Sequence, residues 1–231
     1  RQDPSSLGAL KPSLLWRTDF DMQLSGNTIL ITGATSGIGL RLAQEFQARG
    51  NRVIITGRNP AKLKAAAAAN PLLHAVTLDV TDPDAIRRVA AKLVERNPEL
   101  NVLVNNAGIM MAEDVTTPQP DLATAEAIVT TNLLGPIRVT AALLPQLRSR
   151  PQSAIVNVSS GLAFVPLVRT PTYSASKAAL HSYTLSLRRQ LRDTTTEVVE
   201  LVPPAVQTDL MPGHAADPRA KAQRGQLAQL S

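Results

Sequence analysis

Residues Thr28–Gly39 read TILITGATSGIG, and this stretch decides the fold. Its first five residues are β-branched or leucine, the composition of a strand buried on both faces. Gly33, Gly37 and Gly39 follow at once, where the chain must turn tightly and approach another group without a Cβ in the way. A helix-like segment starts within the glycines, so its first amides face outward with partial positive charge. Strand, glycine turn and helix in that order suit a pyrophosphate. The spacing differs from the commoner G-x-G-x-x-G dinucleotide pattern. A tight packing turn satisfies the same residues.

Outward from that turn, short apolar runs alternate with amphipathic segments. The strand-like runs are 28–32, 52–56, 73–78, 101–104, 153–158 and 198–202. Helix-like stretches fall at about 37–49, 60–69, 82–96, 120–148 and 172–192. This alternation predicts right-handed βαβ units and an α/β fold with one doubly wound parallel sheet and helices on both faces. The stretch 120–148 contains NLLGPIR, with Gly135 and Pro136 in its interior. Proline has no N–H for the carbonyl four residues back, so a kink is expected that leaves the Asn132 carbonyl free.

Composition sets the outer limits. With 231 residues, 44% hydrophobic and 18% charged, the chain can build one substantial core. It has no cysteine, which excludes disulfides and thiolate chemistry and leaves the cytoplasm as the default expectation. His74, His181 and His214 have no paired ligand spacing, so no metal site is expected. The net charge of +6 is spread over helical surfaces, and aromatics at 3% offer little base stacking, which argues against nucleic acid. No run of 18 apolar residues is present, so no membrane span is expected. Residues 1–21 lack periodicity and are expected to be an extension or remnant; residues 22–210 form the folded domain, and 211–231 an irregular tail.

At the end of the second strand-like run the chain reads TGRN. A carboxylate there would hold the 2′-hydroxyl of NAD, whereas an arginine accommodates the 2′-phosphate of NADP. Gly57 occupies the acid's place and Arg58 follows, which favours NADP(H) over NAD(H).

Taken in order, TGATSGIG, LDV at 78–80, NNAG at 105–108, Asn132, NVSSG at 157–161 and YSASK at 173–177 resemble the short-chain dehydrogenase/reductase family. The likeness runs over roughly residues 24–210. The runs SSGLAFVPL, SYTLSLR and LVPPAVQTDL look like its DltE-type oxidoreductase subgroup. The resemblance implies a Rossmann-like domain and hydride transfer between a nicotinamide cofactor and a carbonyl or alcohol. It implies that Gly33, Ser36, Gly37, Ile38 and Gly39 wrap the cofactor diphosphate and that Asp79 and Val80 hold the adenine. Asp79 could equally cap the helix that follows. Asn106, Ala107 and Gly108 would line the cofactor groove, and Pro203, Val206 and Thr208 match positions near the nicotinamide.

Tyr173 matches the catalytic acid/base and Lys177 its partner, with Ser160, thirteen residues upstream, as the catalytic serine. Asn132 matches a fourth member whose carbonyl holds a water in a proton relay to the lysine. Residues four apart share a helix face, so Lys177 lies beside Tyr173. The ammonium and a cationic nicotinamide are expected to bring the phenol from ~10 toward neutrality.

Departures from the pattern shape the remaining expectations. Pro204 stands where the family has glycine, which stiffens that turn. No strand-like run follows Leu210, where the family adds a substrate-covering helix and a seventh strand, so the chain is expected to be truncated or to have lost them. Ile109, Met110, Met111, Leu162, Ala163 and Phe164 would make the substrate pocket apolar. The expected substrate is a small apolar carbonyl or alcohol, and the expected assembly a homodimer or homotetramer. A catalytically weak NADP-binding sensor is the alternative.

Overall fold

The computed structural model describes residues 23–117 and 122–203. Residues 1–21, the tail 211–231, Pro204, Val206 and Thr208 lie outside the described residues. Six strands form one parallel sheet in the order β3-β2-β1-β4-β5-β6. They are β1 (Thr28–Ile31), β2 (Arg52–Gly57), β3 (Leu73–Thr77), β4 (Leu100–Asn105), β5 (Ser153–Val158) and β6 (Thr196–Leu201). Every strand-like run in the sequence is one of these strands. The order reverses between β1 and β4, and the crevice at the carboxyl ends of those strands is where such sheets bind ligands.

The sheet is covered on both faces, which is why its strands do not alternate in polarity. On one face, Leu30, Ile54, Leu103, Ile155 and Val198 pack with residues of α3 (Pro83–Arg96), α5 (Gly135–Arg148) and α6 (Pro171–Leu191). On the other, Ile29, Ile31, Val53, Val102 and Val104 pack with Ala43 of α1 (Gly37–Ala48) and Leu63 of α2 (Pro60–Ala69). Each fully buried Leu or Ile contributes about 1.5–3 kcal/mol of burial free energy. β3 is a sheet edge, and three of its five residues are exposed.

The expected single helix over 120–148 is divided. α4 spans Leu122–Val129, Thr130–Leu134 form a π-turn, and α5 follows. The amide of Gly135 donates to the Thr130 carbonyl, five residues back. Pro136 has no N–H to give, and the turn just before it widens by one residue into a π-turn. Helix Leu122–Arg148 is long and apolar enough to cross a membrane by length and composition alone. Here Val139, Leu143 and Leu147 are core residues, and the helix packs on α3, β4 and β5.

Candidate active site

The glycine turn is stitched to the end of β4. The Thr32 hydroxyl accepts from the amides of Asn106 (3.0 Å) and Ala107 (3.1 Å). The Asn106 side-chain amide in turn donates to the carbonyls of Thr32 (2.9 Å) and Gly33 (3.1 Å). Gly33 has φ +65°, and a Cβ there would sit 2.6 Å from the Ala107 Cα. Gly37 also has positive φ, at 57°. The turn therefore exists only as glycine.

α1 begins in this turn with Ser36 as N-cap, and no side chain caps its first-turn amides. α2 and α3 differ, since Asn59 and Asp82 accept from their first amides. The uncapped end of α1 opens on a cleft of about 430 Å³. Gly33, Ser36, Gly37, Ile38, Gly39, Arg58, Asp79, Val80, Asn106, Ala107, Gly108, Tyr173, Lys177 and Pro203 all line it. An uncapped helix end, a Cβ-free cradle and this volume fit a dinucleotide. A smaller groove of about 290 Å³ lies against β3 and α3 and contains none of these groups.

At one end of the cleft, Gly57 packs so closely on Thr35 that a Cβ would lie 2.5 Å from its Cγ2. Arg58 is exposed on the rim beside Lys62. The sequence reading missed Lys62; its signal is the cap NPAK, where the Asn59 side chain accepts from the Lys62 amide. Asp79 is not the helix cap that its position left open. Its carboxylate accepts from the amide and hydroxyl of Thr81, whereas Asp82 caps α3.

At the other end stand Tyr173 and Lys177, both buried one turn apart on α6. The Lys177 Nζ lies 5.8 Å from the Tyr173 ring centroid and donates to the Val158 carbonyl at 2.8 Å. Burial lowers the lysine to about 8. Burial raises the Tyr173 phenol above its ordinary value, and a hydrogen bond from the Ser160 side opposes that rise. The shift expected from the sequence counted a cationic nicotinamide beside the ammonium, and the protein groups without it leave the phenol raised. Desolvation outweighs the Ser160 hydrogen bond.

Ser160 caps a short 3₁₀ turn over Gly161–Ala163, its hydroxyl accepting from the Leu162 amide at 3.1 Å. The neighbouring Ser159 is buried in the cleft wall, and its hydroxyl has no partner among the described residues. The pairing with Tyr173 distinguishes Ser160 from it.

Asn132 is fully buried in the π-turn. Its side chain accepts from the Ile109 amide (2.8 Å) and donates to the Ile109 carbonyl (2.9 Å). It also donates to the Ser176 hydroxyl (3.1 Å), which donates to the Tyr173 carbonyl (2.7 Å). Beyond the main-chain carbonyl that the sequence singles out, the Asn132 side chain fastens the exit of β4 to α6. Ile109 lines the cleft, whereas Phe164 is turned away, edge-on to His181 at 4.8 Å and about half exposed. Among the described residues no group of three or more His, Cys, Asp or Glu could hold a metal.

Residues 27–218 match the family model described as short chain dehydrogenase. The chain is 44% identical over 189 residues to the Bacillus subtilis (strain 168) protein named Uncharacterized oxidoreductase DltE, covering 82% of this chain and 75% of that one. It resembles a short chain dehydrogenase from Burkholderia cenocepacia J2315 in complex with NADP, at 30% identity and TM-score 0.74, covering 85% and 79% of the two chains. It also resembles 3-ketoacyl-(acyl-carrier-protein) reductase from Brucella melitensis complexed with NADH, at 28% identity and TM-score 0.75, covering 81% and 79%.

Proposed function

This chain belongs to the short-chain dehydrogenase family of nicotinamide-dependent oxidoreductases that act on carbonyl or alcohol groups, and from that premise we propose an NADP(H)-dependent carbonyl reductase with Tyr173 as acid/base. The observation that carries the proposal is that Tyr173 and Lys177 line the end of the glycine-turn cleft, with the Ser160 side chain hydrogen-bonded to the phenol. When bound in the cleft, NADPH would supply the hydride. Tyr173 donates its proton to the carbonyl oxygen, and Ser160 donates a hydrogen bond to the same atom. Lys177, held by the Val158 carbonyl, delivers the balancing positive charge beside the phenol. Asn132 keeps the Ile109 backbone in place at the cleft wall.

Arg58 and Lys62 at the far end, with no acid at Gly57, support NADP(H) over NAD(H). Ile109 and Val158 in the cleft wall support a small apolar carbonyl or alcohol. A homodimer or homotetramer is supported by the exposed apolar side chains Leu122 and Val129 on α4 and Leu185 on α6. The test is NADPH oxidation with hexanal, cyclohexanone, ethyl acetoacetate, a sugar and a charged aldehyde. Preference for the first three supports the reading, and preference for the sugar or the charged aldehyde contradicts the apolar substrate. Binding of NADPH without turnover of any carbonyl favours a cofactor-binding sensor instead.

A further inference from the structure

α6 starts without a cap of its own. Pro171 opens the helix and has no N–H, and the hydroxyl of the N-cap residue Thr170 is buried with no partner among the described residues. Thr172 therefore presents the first helical amide, one residue before Tyr173. That amide donates to the Glu113 carboxylate at 3.0 Å, and the Thr172 hydroxyl donates to its second oxygen at 2.6 Å. The Glu113 amide donates back to the Arg169 carbonyl at 3.0 Å, just before the helix. A carboxylate from 59 residues away thus does the work of a local capping side chain. Its charge also complements the positive end of the helix.

The same loop is fastened a second time. Ile109, four residues before Glu113, is held through Asn132 and Ser176 to the Tyr173 carbonyl. The segment 109–113 that borders the cleft is therefore tied to α6 on both sides of Tyr173. We propose that Glu113 is a positioning residue, which caps α6 across the loop and fixes the Tyr173 phenol against the cleft. Glu113 is not among the residues that line the cleft; it acts through Thr172. The catalytic consequence rests on the function proposed above, whereas the cap itself does not.

The chain contains only two tyrosines, Tyr173 and Tyr183, so a Tyr183→Phe background makes Tyr173 the sole phenol. In that background, ultraviolet titration and amide hydrogen exchange over residues 170–177 are compared for Glu113, Glu113→Ala and Glu113→Gln. Glu113→Ala is expected to accelerate exchange at Thr172 and Tyr173 about tenfold and to move the phenol back toward its ordinary ~10. With ethyl acetoacetate and NADPH, kcat is expected to fall about tenfold while KM and the Kd for NADPH stay constant. Glu113→Gln, which can still accept from the Thr172 amide and donate to its hydroxyl, is expected to restore all three. Unchanged exchange and titration in Glu113→Ala would overturn the proposal, as would a loss of kcat that glutamine does not rescue. If the parent enzyme binds NADPH but reduces no carbonyl, the proposed function fails, while exchange and titration still decide the cap.

Discussion

The Lys177 Nζ donates to the Val158 carbonyl at 2.8 Å, across the cleft wall from β5 to α6. That bond holds a fully buried amine 5.8 Å from the Tyr173 ring. Holding the lysine there comes at a cost to the fold, because burial disfavours its charged form.

The cost is measurable through pH. The folded lysine, lowered to about 8, lies below its unfolded value of ~10.4, so the folded state resists protonation. Below pH 8 both states are protonated and the penalty is complete, roughly 3 kcal/mol. It shrinks as pH rises through that window and is gone above it. Lys177→Met is expected to abolish reduction yet raise Tm by several degrees at pH 7, with the gain vanishing near pH 10.5. Differential scanning calorimetry across pH 7–10.5 checks this; a lower Tm at pH 7 contradicts it.

Asn132→Leu should act mainly on stability and on the cleft wall. It leaves the amide and carbonyl of Ile109 without the partners they have now and takes one of two partners from the Ser176 hydroxyl. A loss of about 2–4 kcal/mol is expected, or about 5–15 °C in Tm. Urea denaturation with activity measured at each step reads both effects.

Cofactor choice can be separated from catalysis at the other end of the cleft. The Arg58→Ala/Lys62→Ala double variant is expected to weaken NADPH about tenfold or more and leave NADH unchanged. Gly57→Asp alone is expected to destabilise the protein, since its Cβ would lie 2.5 Å from the Thr35 Cγ2. Combined with Thr35→Ser, it should move preference toward NADH. Fluorescence titration with both cofactors gives the ratio directly.

The fold was legible because both of its signals are local. Apolar runs such as TILIT and SAIVNV can only be buried on two faces, and the glycines after Thr32 can only be a turn. Pro136 announced a break, and the turn just before it is a π-turn around Asn132. What the sequence could not carry were contacts made at a distance. The Asn132 side chain bonds Ile109, 23 residues away, and Glu113 bonds Thr172 across 59 residues; no spacing rule announces either. Lys62 was overlooked because a lysine on an exposed first turn looks like any solvated surface charge. The depth at which Tyr173 is buried was not legible either. Helical spacing gives the neighbour of a phenol but not the depth of its burial, and here burial dominates.

The central claim is that Tyr173 supplies the proton during NADPH-dependent reduction of a carbonyl. Its most direct measurement is steady-state NADPH oxidation with ethyl acetoacetate by the wild type and by Tyr173→Phe, alongside NADPH titration of both. The account predicts that kcat falls about 10²–10⁴-fold in Tyr173→Phe while NADPH binds both proteins equally. Equal rates in the two proteins would contradict it.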